Sequence, residues 1–232
     1  MSLSRKQILQ LSLLMLFDLS LILFRNFFAG GSLEQLASLE NIITFRSQTF
    51  LFLIWNLFLA AIPLSVALVL HWYKHHPRFN WIFWPGIVLW LIFFPNAPYI
   101  ITDLIHIRPR PYIPLWYDTF TFFVFAWSGL YLGLLSIKVI GELLVSKLGN
   151  IASQAFIFLA IMLSGFGIAV GRFLRWNSWD IVAKPSILFQ DTLSLITNPG
   201  AYKSIWGMAV LFSLFLGISY LLSNNPMSCE KR

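Results

Sequence analysis

The chain has 232 residues, of which 58% are hydrophobic and only 11% charged, whereas a water-soluble domain carries about a quarter charged side chains. Too few polar groups remain to cover a globule in water, and the mean hydropathy of +0.76 agrees. The net charge of +7 comes without a basic stripe or an RNA-binding signature, which excludes nucleic acid as an expected partner.

Lipid is therefore the expected solvent. A helix needs about 20 apolar residues to cross a hydrocarbon core of about 30 Å, and an open strand would leave its backbone unpaired there. The reading is an all-α, polytopic transmembrane helix bundle of about six spans, near 7–29, 49–72, 81–100, 116–138, 152–171 and 204–223. It forms one integral membrane domain over 1–232, with short interfacial helices in the loops.

In the first span, Arg5 and Lys6 ahead of an apolar run imitate a signal peptide. The run is too long, carries Asp18 in its middle and ends on the poor cleavage site Ala29-Gly30-Gly31, so it reads as a retained span. A mid-span carboxylate must face the bundle and find a partner. Asn56, a loop arginine, or Arg25 two turns along the same face are the candidates. Ser32 and Gln35 at capping-box spacing, followed by Leu36, Leu39 and Ile43, predict a short surface helix over 30–48. Pro63 predicts a kink in the second span.

The third span ends in Phe94-Pro95-Asn96-Ala97-Pro98-Tyr99, where two prolines break the helix as it leaves the bilayer and Asn96 can bond freed backbone groups. Pro98, Pro109, Pro111 and Pro114 argue against a regular helix over 98–115. Asp103 and His106 share a face if a helical turn forms, a spacing that suits two metal ligands or a carboxylate orienting an imidazole. An N-cap beside an interfacial histidine explains the same pair. Trp116-Tyr117-Asp118 opens the fourth span, where belt anchoring and the helix dipole account for it as well as a site does. Gly129 and Gly133, like Gly167 and Gly171 in the fifth span, have the spacing of closely packed helices. Residues 139–151 read as a short basic loop, with Lys138 and Glu142 as an interfacial pair.

After the fifth span comes Gly171-Arg172-Phe173-Leu174-Arg175-Trp176-Asn177-Ser178-Trp179-Asp180. If helical, it gathers Arg172, Arg175, Trp176 and Trp179 on one arc, where guanidinium groups can stack on indoles and clamp phosphate or carboxylate. An interfacial anchor explains it equally well. Two interfacial helices are predicted over 172–203, broken at Lys184-Pro185 and closed by Asn198-Pro199-Gly200. Cys229, the single cysteine, lies in the tail and excludes an intramolecular disulfide.

Six spans put the 3–4 and 5–6 loops on one side, so these polar segments can meet. Arg5, Lys6, Lys74, Arg78, Lys138, Lys147, Lys231 and Arg232 lie on one side of the membrane. Arg25, Arg46, Arg108, Arg110, Arg172, Arg175, Lys184 and Lys203 lie on the other. The first set occupies shorter segments with fewer acids, which points to cytoplasmic termini.

These segments resemble a bacterial integral-membrane family known as domain of unknown function 1361. The resemblance rests on Pro95-Asn96-Ala97-Pro98-Tyr99-Ile100 with Thr102-Asp103, on Trp116-Tyr117-Asp118 and on the Gly171–Asp180 motif. It implies a multi-span membrane protein and brings no activity with it; the expected location is a bacterial plasma (inner) membrane.

From the residues, Asp103, His106, Asp118 and Asp180 are the candidate catalytic groups, with Asp103 and His106 also the candidate ligands of a divalent metal. Asn96, Tyr99, Arg172, Arg175, Trp176, Asn177 and Trp179 are the candidate substrate contacts. The leading expectation is a membrane-embedded hydrolase or transferase acting on a phosphate-bearing or lipid-linked substrate. Two alternatives stay open: a transporter or channel subunit, which would call for a homo-oligomer, and a lipid-binding or assembly factor without chemistry. A buried polar pocket favours either of the first two readings over the third.

Overall fold

In the computed structural model, which describes residues 5–28, 50–110 and 113–224, six helices are long and apolar enough to cross a membrane. They are α1 (Arg5–Phe28), α2 (Leu51–Trp72), the crossing that starts with α3 (Phe79–Phe93), α5 (Leu115–Leu148), α6 (Asn150–Leu174) and α9 (Lys203–Asn224). The third crossing finishes as the one-turn α4 (Asn96–Tyr99) and a 3-10 segment over Ile100–His106. Between α6 and α9 lie α7 (Asp180–Ala183) and α8 (Pro185–Thr197), which break at Lys184 and stop before Asn198. The expected helix over 30–48, Pro111 and Cys229 fall outside the described residues.

α5 is the spine. Its 34 residues correspond to about 51 Å of helix, and the expected loop over 139–151 is corrected. No proline interrupts 139–148, and Ile140, Leu143 and Leu144 keep the apolar period and are buried in the main core cluster. The chain turns only at Gly149, whose φ of +79° suits glycine. Lys138 donates to the Ser223 carbonyl at 2.6 Å, capping the last turn of α9.

Small residues set the spacing around this spine. A Cβ on Gly129 would run into the Ala97 carbonyl oxygen, and one on Gly133 would sit 3.2 Å from Ala97 Cβ. Gly167 faces Pro95 at 3.1 Å in the same sense, while Gly165 meets Ser213 and the Ala209 carbonyl of α9. α2 runs on through Pro63 as one helix.

The end of α1 is fastened to the start of α5 by charge. Arg25 donates from Nε to Asp118 Oδ1 at 2.8 Å and from Nη2 to Oδ2 at 3.3 Å. Arg110 adds a third bond, from Nη1 to Oδ2 at 2.9 Å. Both guanidinium groups lie over the buried ring of Phe50, at 3.7 and 4.6 Å from its centroid. Tyr117 Oη donates to the Leu21 carbonyl at 2.7 Å. Burial pushes Arg110 below the ordinary arginine range, and its bond to Asp118 works against that shift.

Asp18 lies about two turns from Arg25 along α1. It is fully buried, as expected for a mid-span carboxylate. The expected partners go elsewhere: Arg25 is committed to Asp118, and Asn56 bonds Asp103. Neither oxygen of Asp18 has a hydrogen bond among the described residues. Ser128 of α5 is the polar side chain that faces it.

Two comparisons test this packing by thermal unfolding in detergent. Gly129→Ala should lower stability by about 1–3 kcal/mol through overpacking, whereas Gly207→Ala, with open space around it, should be neutral or stabilising. Asp118→Ala strands the buried Arg25 and should cost about 3–5 kcal/mol. Asp18→Asn removes an uncompensated carboxylate and should leave Tm unchanged or raised.

Candidate functional site

The third crossing breaks because Pro95 cannot donate a backbone hydrogen bond and its ring excludes a continuous helix. Ala97 N turns to the Phe94 carbonyl at 3.2 Å, so the Phe93 carbonyl loses its usual i+4 donor. Asn96 Nδ2 takes the Phe93 carbonyl at 3.0 Å, as the sequence predicted for this side chain. Ser178 Oγ takes the Ile92 carbonyl at 3.0 Å and receives Asn96 Nδ2 at 2.9 Å. Pro98 is tolerated because it sits in the first turn of α4, where its missing N–H has no partner to lose.

Ser178 belongs to the segment after α6, so this network ties the 5–6 connection to the broken third crossing. The condition that would gather the motif on one helical arc is met only as far as Leu174. α6 ends at Leu174, and Arg175 takes the left-handed conformation at φ 59°, ψ 33°. Short polar side chains outcompete the helix here. Asp180 Oδ2 accepts from Asn177 N at 2.8 Å and from Asn177 Nδ2 at 3.3 Å. Gly171 lets the chain fold back, since a Cβ there would lie 3.2 Å from the Trp176 carbonyl and 3.3 Å from the Tyr99 ring.

The result is a cleft of about 970 Å³ at the end of the bundle where α2 begins, the third crossing breaks and α6 ends. Asp103, His106, Asn96, Tyr99, Arg172, Arg175, Trp176, Asn177 and Trp179 all line it. Asp118 and Asp180 do not. Asp118 is enclosed by its two arginines, and Asp180 is turned onto Asn177.

Asp103 is nearly inaccessible, at 3% exposure. Its Oδ2 accepts from Asn56 Nδ2 at 2.7 Å, and its Oδ1 faces Arg172 Nη1 at 3.9 Å. His106 is set by a contact of 3.2 Å between its Nδ1 and the Asp103 carbonyl, and its ring lies 5.5 Å from that of Phe52. The 3-10 turn thus joins the imidazole to the aspartate backbone rather than to its carboxylate. No group of three His, Cys, Asp or Glu side chains able to hold a metal is found among the described residues. The Asp103 carboxylate is occupied by an amide and faces a guanidinium, a poor start for a cation site.

Trp176 Nε1 donates to Asp191 Oδ2 at 2.9 Å, which holds α8 beside the cleft. The arginine-on-aromatic stacks among the described residues fall on Phe50 rather than on the tryptophans of the motif. Sequence reasoning did not single out Trp55, Ser178 or Asp191 for this site, and it named Asn56 only as one candidate partner of Asp18. A lone asparagine in an apolar span was the available signal, but its partner depends on helix rotation. Ser178→Ala should cost about 1–3 kcal/mol, because it takes the hydroxyl donor from the Ile92 carbonyl; thermal unfolding reads this directly.

A family model described as Protein of unknown function (DUF1361) matches residues 55–219, more than half of the chain. No curated protein and no solved structure matches. The matched stretch contains every residue that lines the cleft and leaves out α1. The chain therefore belongs to the DUF1361 family.

Proposed function

We propose that the protein is a membrane-embedded hydrolase or transferase that acts on a phosphate-bearing amphiphile in this cleft. The observation that carries the reading is the joining of a buried carboxylate, an imidazole and two arginines in one partly apolar cavity. They come from the broken third crossing and the end of α6, far apart in the chain. In this reading, Arg172 and Arg175 hold the anion, since guanidinium donors match phosphate oxygens in pairs. Asp103, held by Asn56, takes the proton of the attacking water or hydroxyl. His106, with Nδ1–H on the Asp103 carbonyl, acts in its imidazolium form and gives the Nε2 proton to the leaving oxygen, and the proton taken by Asp103 goes to solvent as the cycle closes. Tyr99, Asn96 and Asn177 offer further polar contacts, and Trp176 and Trp179 flank the headgroup.

The basic residues of the shorter segments support cytoplasmic termini in a plasma membrane, which turns the cleft to the extracytoplasmic side. Asp118 and Asp180 have no part in the chemistry. Asp118 anchors α1, and Asp180 shapes the loop that carries the arginines.

Mass spectrometry of lipids retained by the detergent-purified protein, with phosphate release followed on a lipid extract, tests the reading. Wild type and Asp103→Asn should both retain phosphate-bearing lipid, and Asp103→Asn should lose about 10²–10⁴-fold in turnover. Arg172→Gln with Arg175→Gln should retain at least about tenfold less. Equal retention by the double arginine variant would sink the proposal.

A further inference from the structure

The cleft extends well beyond the groups that would hold a phosphate. Its polar lining, Arg172, Arg175, Asn96 and Asp103, lies at the helix ends. Deeper in, the wall is apolar and is made by α2, by Leu91 and Ile92 of the third crossing, and by α6. On α2 it reaches Leu59, whereas the helix starts at Leu51. On α6 it reaches Leu163, whereas the helix ends at Leu174. At 1.5 Å per residue these leucines lie about 12 and 16 Å from the ends of their helices, and about 4.5 and 13.5 Å past Asn56 and Arg172, the polar lining groups of the same helices; the α6 wall thus reaches roughly half-way across a hydrocarbon core of about 30 Å.

α2 and α6 each pack on α5, and the cleft is walled by both together with Leu91, Ile92 and Pro95 of the third crossing. Trp55 at the α2 rim is 52% exposed and Leu163 on the α6 wall is 43% exposed, so both walls also border the surface that lipid covers. The volume of about 970 Å³ sits at the top of the usual range for small-molecule sites, roughly 300–1,000 Å³. A phosphate group alone leaves most of it unfilled. A positively charged mouth over an apolar arm at membrane depth is the profile of an anionic lipid with its tail inserted.

We propose that the arm between α2 and α6 takes the hydrocarbon chain of an anionic membrane lipid, which enters sideways from the bilayer while its headgroup reaches Arg172 and Arg175. This inference rests on the headgroup reading given above and adds the source and the path of the ligand. A water-soluble phosphate would use the mouth and leave the arm unused.

The test fills the arm. Leu163→Trp and, separately, Leu59→Trp are purified beside the volume-conserving Leu163→Met, with thermal unfolding as the check on folding. Retained phospholipid is measured by mass spectrometry, and phosphatidic acid and inorganic phosphate are each titrated as probes. The expected result is at least a tenfold loss of phosphatidic acid affinity in either tryptophan variant that unfolds at the wild-type temperature. Leu163→Met should bind as wild type, and inorganic phosphate should compete weakly and equally in all of them. Unchanged phosphatidic acid binding in a folded tryptophan variant overturns the arm while leaving the headgroup reading intact. Inorganic phosphate binding as tightly as phosphatidic acid also overturns it, because the ligand is then a free anion. Lipid binding that Leu163→Trp weakens and Arg172→Gln leaves alone keeps the arm and removes the headgroup reading.

Discussion

Two backbone carbonyls, those of Ile92 and Phe93, set the arrangement of the site. Pro95 interrupts the third crossing close to the membrane, where an unsatisfied backbone group costs several kcal/mol. The repair is made by Asn96 from the same segment and by Ser178 from a connection more than 80 residues later. Satisfying the break thus draws the 5–6 connection onto the third crossing, and Arg172 comes to face Asp103 as part of the same arrangement. The break is stored against α5, whose Gly129 and Gly133 leave room for Ala97 and its carbonyl.

Three buried aspartates show how partners decide what a carboxylate does. Asp118 has two arginines within 3 Å and works as a fastening between α1, the 3–4 connection and α5. Asp103 has one amide and a more distant guanidinium, and the proposed chemistry gives it the proton of the nucleophile. Asp18 has no hydrogen bond among the described residues and faces only a serine hydroxyl. Their burial is alike, at 1%, 3% and 0% exposure. Burial alone therefore does not set these carboxylates apart; their neighbours do.

The division of the molecule follows from this. α1 is attached along one face, by Leu21, Ile22 and Arg25, with most of its surface left to lipid. The family match begins at Trp55, after α1. The cleft, its arginines and the helix break all fall within the matched stretch, so the site does not depend on α1 for any lining residue.

Much was legible in the sequence, because a bilayer imposes coarse and local rules. Length and hydropathy of a segment suffice to mark a span, and Pro95, Lys184-Pro185 and Asn198-Pro199 marked breaks that the chain has. The meeting of Asp103, His106, Arg172 and Arg175 followed from counting spans. Helix ends were less legible: α5 runs past the expected loop because an amphipathic continuation outside the membrane looks like a loop to hydropathy. The Arg/Trp motif would share one arc if helical, yet the competition between its polar side chains and its backbone ended α6 at Leu174. Partner choice was the least legible. Arg25 and Asp118, like Asn56 and Asp103, are far apart in sequence, and the rotation of each helix about its own axis decides who meets whom. That rotation is set by the packing of small residues against α5, a property of the assembled bundle that no single segment carries.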